Sequence, residues 1–490
     1  VKNLEKAIVI FVVLVGLLAL TVFWTRNRKQ HRETKTESTP GKTITETLDR
    51  TDTPSNIILL SIDTLRRDHL PFYGYGRNTA PNLKRLSDEG ITFDNTVSAH
   101  TNTAPSHATM LTGLYAETHG ILTNGGSLRE DVPVLSEILR EHGYHAAAFV
   151  SAYTLGKHTN LQRGFSPYNI KLYKRRRRPA SKTYAAARPW ILKRSRARQP
   201  FFLFLHFFDP HNPYDPPGEF GKMFRDNHER FDGVFPYRDR RKFRKSGSAE
   251  LFQDLIARYD GEIAYADSEV GRLLEQLDNL DIADNTLLVF VSDHGETLLE
   301  RKWIFDHGCR VYDEQIMVPM VIRFPDKSDA GKRIKTQVGL VDLMPTILDA
   351  LHIPLPGRLA GRSLLPLLER EDSTGDSRPA FSNARLDRRR LGHIKQKLTK
   401  KRVLISSIRL PTFKLIEYPT RGGGWYQELF DLETDPGETK NISKKKPEVA
   451  AQLQSQLEAW RKETRLSDTA EPIDLSPEVE AALRELGYVH

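Results

Sequence analysis

Three apolar runs of strand length end in residues that bind cations. NIILLSI (Asn56 to Ile62) runs into Asp63, and LLVFVS (Leu287 to Ser292) runs into Asp293 and His294. FFLFLHFF (Phe201 to Phe208) leads to Asp209-Pro210-His211. In open α/β sheets ligands collect at the carboxyl ends of strands. Carboxylate oxygens with an imidazole are a sound donor set for a divalent metal. A lone aspartate there serves as well as a turn cap, but three ends delivering Asp and His together point to a metal site. A second feature is TNTAPSHATMLTG, Thr101 to Gly113. From Pro105 its spacing is helical, with Pro in the first turn and Met110 and Leu111 facing inward. The Thr103 hydroxyl then lies just ahead of a helix N-terminus, where backbone N–H groups and the dipole favour an anion. Beside a divalent cation it can be deprotonated to attack a phosphoryl or sulfuryl centre; alone, it can equally be a cap.

The elements that must hold these residues follow from the apolar pattern. Besides the three runs, Ala146 to Ser151 and Val318 to Phe324 are continuously apolar, as buried parallel strands are. Helical spacing lies between them, over Val132 to His142, from Leu251 to Leu277, and over Leu343 to Leu351. Strands alternating with helices predict an α/β fold, a mostly parallel sheet sandwiched by helices. After EREDSTGDSRP the texture loosens into short strand candidates (Arg402 to Ile408, Phe413 to Tyr418, Glu428 to Leu432) and a helix from Pro447 to Arg465, enough for a small α+β subdomain. Ser476-Pro477-Glu478 opens a final helix with a capping serine and a first-turn proline. The expected domains are an anchor over 1–33, a linker over 34–54, a catalytic domain over 55–370, the subdomain over 371–465 and a tail helix over 466–490.

The N-terminal expectation rests on Ala7 to Trp24, which carries no charge and is just long enough to cross a bilayer as a helix. No small-residue cleavage site follows it, so an uncleaved single-pass anchor is expected. Arg26, Arg28, Lys29 and Arg32 after the span would by themselves hold the following domain on the cytoplasmic side. Composition is that of a folded protein, 39% hydrophobic and 28% charged. The net charge of +10 favours anionic neighbours. Two basic clusters, Lys174 to Arg178 and Arg188 to Arg198, read as solvated loops. With no nucleic-acid motif beside them, nucleic acid is not an expected partner. Cys309 is the only cysteine, which excludes an intramolecular disulfide and a cysteine-based zinc cluster.

The pieces ILLSIDTLRRDHLPFYGY, TAPSHATMLTGLYAETHG, FFLFLHFFDPHNPY, LLVFVSDHGE, YDEQIMVPMVIRFP and ELFDLETDPGETKNI, in that order, resemble the sulfatase family of the alkaline phosphatase superfamily. The likeness runs from about Ser55 to Arg465. It implies an alkaline-phosphatase-like fold with a small C-terminal subdomain, and metal-assisted transfer of a sulfuryl or phosphoryl group through a covalent intermediate. It also implies Asp63, Asp293 and His294 as ligands of one divalent ion, calcium by family habit, with manganese, magnesium or zinc as alternatives. Thr103 falls on the nucleophile position, to act as nucleophile or metal ligand, and His211 and His307 resemble the histidines that contact the ester and protonate the leaving group. Lys302 and Arg310 lie where a cationic substrate clamp is expected. An extracytoplasmic catalytic domain and an anionic sulfate- or phosphate-ester substrate follow from the same likeness.

The departures from that family carry their own information. Formylglycine enzymes need Cys or Ser at the signature position, and a Thr103 side chain cannot become formylglycine without losing its methyl group. His107 replaces the signature arginine and joins the catalytic candidates, while Thr64 stands where many sulfatases carry a second aspartate. A Thr nucleophile is similar to that of phosphodiesterases and phosphoglycerol or phosphoethanolamine transferases. Sulfate ester hydrolysis is therefore the leading expectation, a Thr-based phosphodiesterase or transferase the alternative, and a catalytically dead binding protein the third.

Overall fold

The computed structural model describes residues 54–171, 177–225, 249–301, 305–327, 329–369, 377–387, 402–420, 424–464 and 477–485. The expected anchor over 1–33 and the linker up to residue 53 lie outside them. Among the described residues no helix is long and apolar enough to cross a membrane.

A nine-stranded sheet forms the centre. Its strands in chain order are β1 (Asn56–Ile62), β2 (Ile91–Val97), β3 (His145–Val150), β4 (Tyr168–Asn169), β5 (Phe201–Phe207), β6 (Thr286–Ser292), β7 (Met317–Val318), β8 (Met320–Arg323) and β9 (Arg333–Gly339). The spatial order is β4-β3-β5-β1-β6-β8-β2-β7, with β9 on β2. The block β4-β3-β5-β1-β6 is parallel throughout. Its side chains alternate between two cores. Ile57, Leu59, Phe202, Phe204, Val289 and Val291 pack on one face. Ile58, Leu60, Leu203, Leu205, Leu288 and Phe290 pack on the other. With both faces covered, no polar alternation survives in these strands.

The run Val318 to Phe324 departs from the expected parallel strand. It is split at Pro319 into β7 and β8, and β8 lies antiparallel to both β6 and β2. Proline has no N–H for the ladder, which explains the break. Beyond β6 the sheet is mixed rather than parallel.

Helices cover both faces. We label α1 (Pro81–Glu89), α2 (Thr103–Thr112), α3 (Leu135–Glu141), α4 (Ala180–Arg196), α5 (Ala249–Asn279), α6 (Asp313–Ile316), α7 (Leu343–Ala350) and, beyond the sheet, α8 (Pro447–Thr464). α5 buries the predicted stripe Leu255, Tyr259, Ile263, Ala266, Val270, Leu273, Leu274 and Leu277. Where helical spacing suggested Val132 to His142, the α3 helix is confined to Leu135–Glu141. Arg178, read with its basic cluster as solvated, is buried instead. It bonds Thr183 Oγ1 at 2.8 Å, Asn169 Oδ1 at 2.7 Å and the Val150 carbonyl at 2.9 Å.

The C-terminal part is a four-stranded antiparallel sheet, β10 (Ala380–Asp387), β11 (Arg402–Arg409), β12 (Phe413–Pro419) and β13 (Trp425–Asp431), in chain order. On one face α8 places Leu453, Leu457 and Trp460 against Ile408, Leu415 and Leu429. On the other, Ala384, Ile405, Ile416 and Phe430 meet Val97 of β2, Met317 of β7, Ile316 of α6 and Val311 just before it. A short helix also forms over Pro477–Glu485 in the tail.

Candidate active site

Strand register builds the centre. Ile62 pairs with Phe207 on one side and with Ser292 on the other, so Asp63 and Asp293 leave neighbouring strands at one level. Asp63 N–H donates to the Phe207 carbonyl at 2.9 Å, and Thr64 N–H donates to Asp293 Oδ1 at 3.2 Å. Thr64 has φ 55°, a left-handed conformation that a β-branched residue rarely adopts, directly beside the carboxylates. His294 donates from Nδ1 to the Gly295 carbonyl at 2.9 Å, so in the neutral ring Nε2 carries a lone pair. That Nε2 is 3.5 Å from Asp293 Oδ2 and 4.0 Å from Asp63 Oδ1.

These three atoms, all buried, have no hydrogen-bond partner in the protein, and the three residues' ligand atoms lie within 4.8 Å of one another. Unpaired buried carboxylate oxygens are costly unless a cation joins them. Burial, and next the Asp293 carboxylate, push the Asp63 carboxyl well above its usual range. Burial opposes ionisation of Asp293 as well, but His294, His107 and His206 outweigh it and hold that carboxyl below its usual value. The residues present thus fit a divalent metal.

Thr103 is the first residue of α2 rather than just ahead of it, with Asn102 as N-cap. Its hydroxyl donates to Asp63 Oδ2 at 3.3 Å. His107, one turn on, lies beneath the centre. Nδ1 donates to the Thr103 carbonyl at 2.8 Å, so Nε2 accepts from Ser61 Oγ at 2.8 Å. It therefore clamps the first turn of α2 to β1, two residues before Asp63. Burial lowers its pKa to about 4.

His307 stacks on His294 with ring centres 4.8 Å apart, and its edge meets His211 at 4.8 Å. His211 stacks on Phe208 and donates from Nδ1 to the Asn212 carbonyl at 2.8 Å. Burial, then the neighbouring His307, lower the His211 pKa well below the ordinary value. All seven candidates, Asp63, Thr103, His107, His211, Asp293, His294 and His307, fall in one contiguous group. Arg310 is buried with Nη1 on the Cys309 carbonyl at 3.1 Å and its charge felt at Tyr418 of the small sheet. Lys302 lies outside the described residues.

Three neighbours had no sequence signal beyond polarity within apolar or loop stretches. His206, on β5 opposite Ser61, places Nε2 3.3 Å from Asp63 Oδ2. Asn124 accepts from Ala104 N–H at 2.9 Å, while its buried amide nitrogen has no partner. Glu296 takes His307 Nδ1 on Oε1 at 2.9 Å and the Tyr214 hydroxyl on Oε2. The histidine on an all-apolar strand was the one legible hint.

Comparison with known proteins gives a concordant picture. Residues 55–353 match the sulfatase family, and residues 300–463 match the C-terminal family of N-sulphoglucosamine sulphohydrolase. An arylsulfatase of Clostridium perfringens is 27% identical over 390 residues, covering 65% of this chain and 79% of the relative. An N-acetylglucosamine-6-O-sulfatase of Bacteroides thetaiotaomicron is 24% identical over 502 residues, covering 85% of this chain and 88% of the relative. In fold, a phosphonate monoester hydrolase of Agrobacterium radiobacter superposes with a TM-score of 0.67 at 22% identity, covering 84% of this chain and 96% of that one.

Proposed function

The chain belongs to the sulfatase family, and on that premise we propose that it hydrolyses sulfate esters at the Asp63–Asp293–His294 centre. The observation that carries this reading is the convergence of three unpartnered ligand atoms, Asp63 Oδ1, Asp293 Oδ2 and His294 Nε2, beside the Thr103 hydroxyl at the start of α2. A divalent ion held there would neutralise charge on the ester oxygens and lower the pKa of the nucleophile. His294 in the donor set favours manganese or zinc over calcium.

Thr103 Oγ is the nucleophile in this reading, and Asp63 Oδ2, 3.3 Å away, takes its proton. The dipole of α2, whose first residue is Thr103, favours the anionic sulfuryl group there. As Oγ bonds to sulfur, the sulfur–oxygen bond to the alcohol breaks, and its electron pair goes to the departing oxygen, which takes a proton from a pocket histidine. Water then attacks the sulfur and gives its proton to that histidine, the sulfur–Oγ bond breaks, and Thr103 Oγ takes its proton back from Asp63. Asn124, with its unpartnered amide, is positioned beside the first turn of α2 to donate to an ester oxygen.

Thr103 itself supports a second reading, phosphate diester hydrolysis or head-group transfer. A phosphothreonine intermediate needs no formylglycine. The run over residues 7–24 supports a membrane-tethered enzyme, and the family likeness, against the charges that follow the run, favours an extracytoplasmic catalytic domain over 55–370 carrying the 371–465 subdomain.

The test is a side-by-side assay of the purified full chain on nitrophenyl sulfate, phosphate monoester and phosphate diester, with calcium, manganese, magnesium or zinc. Sulfate turnover that disappears in Thr103→Ala is the expected result. Turnover of the diester alone replaces this reading with the second. Full activity in Thr103→Ala removes Thr103 as the nucleophile.

A further inference from the structure

The chain leaves β1 through a turn that carries one carboxylate of the centre and fixes the other. Thr64, next to Asp63, donates its N–H to Asp293 Oδ1 at 3.2 Å. The same oxygen accepts His294 N–H at 2.9 Å, which leaves Oδ2 of Asp293 for an ion. The peptide plane between Asp63 and Thr64 thus belongs to one ligand and orients the second. Its direction depends on Thr64 staying at φ 55°.

A threonine does not hold that conformation by itself. Its branched Cβ crowds the backbone in the left-handed region, and its buried hydroxyl has no hydrogen-bond partner to compensate. Such a backbone persists only where the surroundings determine it. Here the determinant is a single side chain of α5. The Tyr259 hydroxyl donates to the Thr64 carbonyl at 2.8 Å and accepts Arg66 N–H at 3.0 Å, so one oxygen closes the turn from both ends. The Tyr259 ring is fully buried, with His69 edge-on at 5.1 Å and Tyr214 at 5.5 Å. The neighbouring Asp260 ties the same turn of α5 to the segment after Arg66. It pairs with His69 Nδ1 at 2.7 Å and accepts the Tyr75 hydroxyl at 2.7 Å and Arg77 Nη1 at 2.8 Å.

We propose that Tyr259 is a positioning residue for the metal centre: its hydroxyl holds Thr64 left-handed and thereby sets Asp63 and Asp293 for the ion. The proposal rests on the reading of Asp63, Asp293 and His294 as a metal site. Tyr259 touches neither ion nor substrate in this role. It acts through the backbone of the turn, from a helix that supplies no ligand.

The experiment strips the full chain with chelator and titrates it with manganese, reading the free ion by electron paramagnetic resonance. Wild type is compared with Tyr259→Phe, Thr64→Gly and the Tyr259→Phe/Thr64→Gly double variant, and thermal unfolding of each metal-free protein is recorded. Tyr259→Phe keeps the ring and removes the hydroxyl, and should weaken manganese binding about 10- to 100-fold. Glycine adopts a left-handed backbone without steric cost, and placing it at 64 breaks no hydrogen bond of the Thr64 hydroxyl. In the Thr64→Gly background the tyrosine substitution should therefore cost less than about threefold. A lower melting temperature in Tyr259→Phe with wild-type manganese affinity would overturn the proposal, because the hydroxyl would then serve stability alone. An equal loss of affinity in both backgrounds would overturn it too, because Tyr259 would not act through Thr64. If Tyr259→Phe does not fold, the double variant decides. Folding with the manganese affinity of Thr64→Gly supports the clamp, while failure to fold or tenfold weaker binding refutes it. Wild type that takes up no manganese, zinc, magnesium or calcium removes the metal centre and the proposal with it. Manganese uptake without turnover of any ester removes only the functional reading and leaves the role of Tyr259 standing.

Discussion

Asp63 Oδ1, Asp293 Oδ2 and His294 Nε2 are buried acceptors without a protein partner, and each is a ligand type that a divalent ion uses. Removing one weakens the whole set. Asp293→Asn should leave less than a tenth of the bound metal and lower activity by on the order of 10³-fold, checked by elemental analysis alongside turnover. Retention of a full metal equivalent would rule out the Asp63–Asp293–His294 set. His107 acts through backbone rather than substrate. It joins the Thr103 carbonyl to Ser61 Oγ, both at 2.8 Å, where the family signature implies an arginine. His107→Ala should therefore lower kcat at least tenfold with KM nearly unchanged, a loss of positioning of the nucleophile. A pure KM effect would contradict that role.

At the scale of elements, the loop carrying His307 and the approach to α2 are packed against each other through Gly308. Gly308 has φ 77°, and a Cβ there would collide with Asn102 Oδ1, the N-cap side chain of α2. Gly308→Ala is strained in backbone and space together. It should lower activity about tenfold or more while the circular dichroism stays that of wild type; wild-type turnover would show that the loop has slack. The small sheet reaches the same approach from the other side. Ser382 Oγ donates to the Ser98 carbonyl at 2.6 Å and Asn383 N–H to the Ala99 carbonyl at 2.9 Å. Farther out, buried Lys414 bridges Asp313 of α6 at 2.8 Å and Glu438 at 2.7 Å. Lys414→Ala leaves Asp313 on Arg409 at 2.9 Å and Glu438 near Arg301 at 3.5 Å but removes the buried cation that joins them, and should cost on the order of 2 kcal/mol, measured by denaturant unfolding.

Across the whole molecule, the buried histidines bear on acid stability. Burial lowers His100 and His119 to about 3, and His107 and His206 to about 4. A depressed folded pKa means that the unfolded chain takes up these protons first. The associated stability is full above the ordinary value of about 6.5 and is lost as pH falls from there to about 4 for His107 and His206 and to about 3 for His100 and His119. Buried Asp267 and Glu438, pushed up to about 6 and about 7, act in the opposite direction over the same range, so the check is histidine-labelled NMR of the folded chain, in which these rings should stay neutral down to about pH 5; imidazolium signals there would mean that they are not buried neutral. The sequence by itself determined the strands whose apolar runs are buried on both faces, the amphipathic α5, and the Asp and His at strand ends, because burial and helical period leave their pattern in local residue types. Tertiary structure alone decided the direction of β8, since an apolar run has no polarity along the chain. β2 and β9 were not legible because half-polar runs such as Arg333–Gly339 carry little apolar continuity. The supporting partners His206, Asn124, Tyr214 and Glu296 come from segments far apart in the chain, and which atoms meet depends on register and packing that no local spacing encodes.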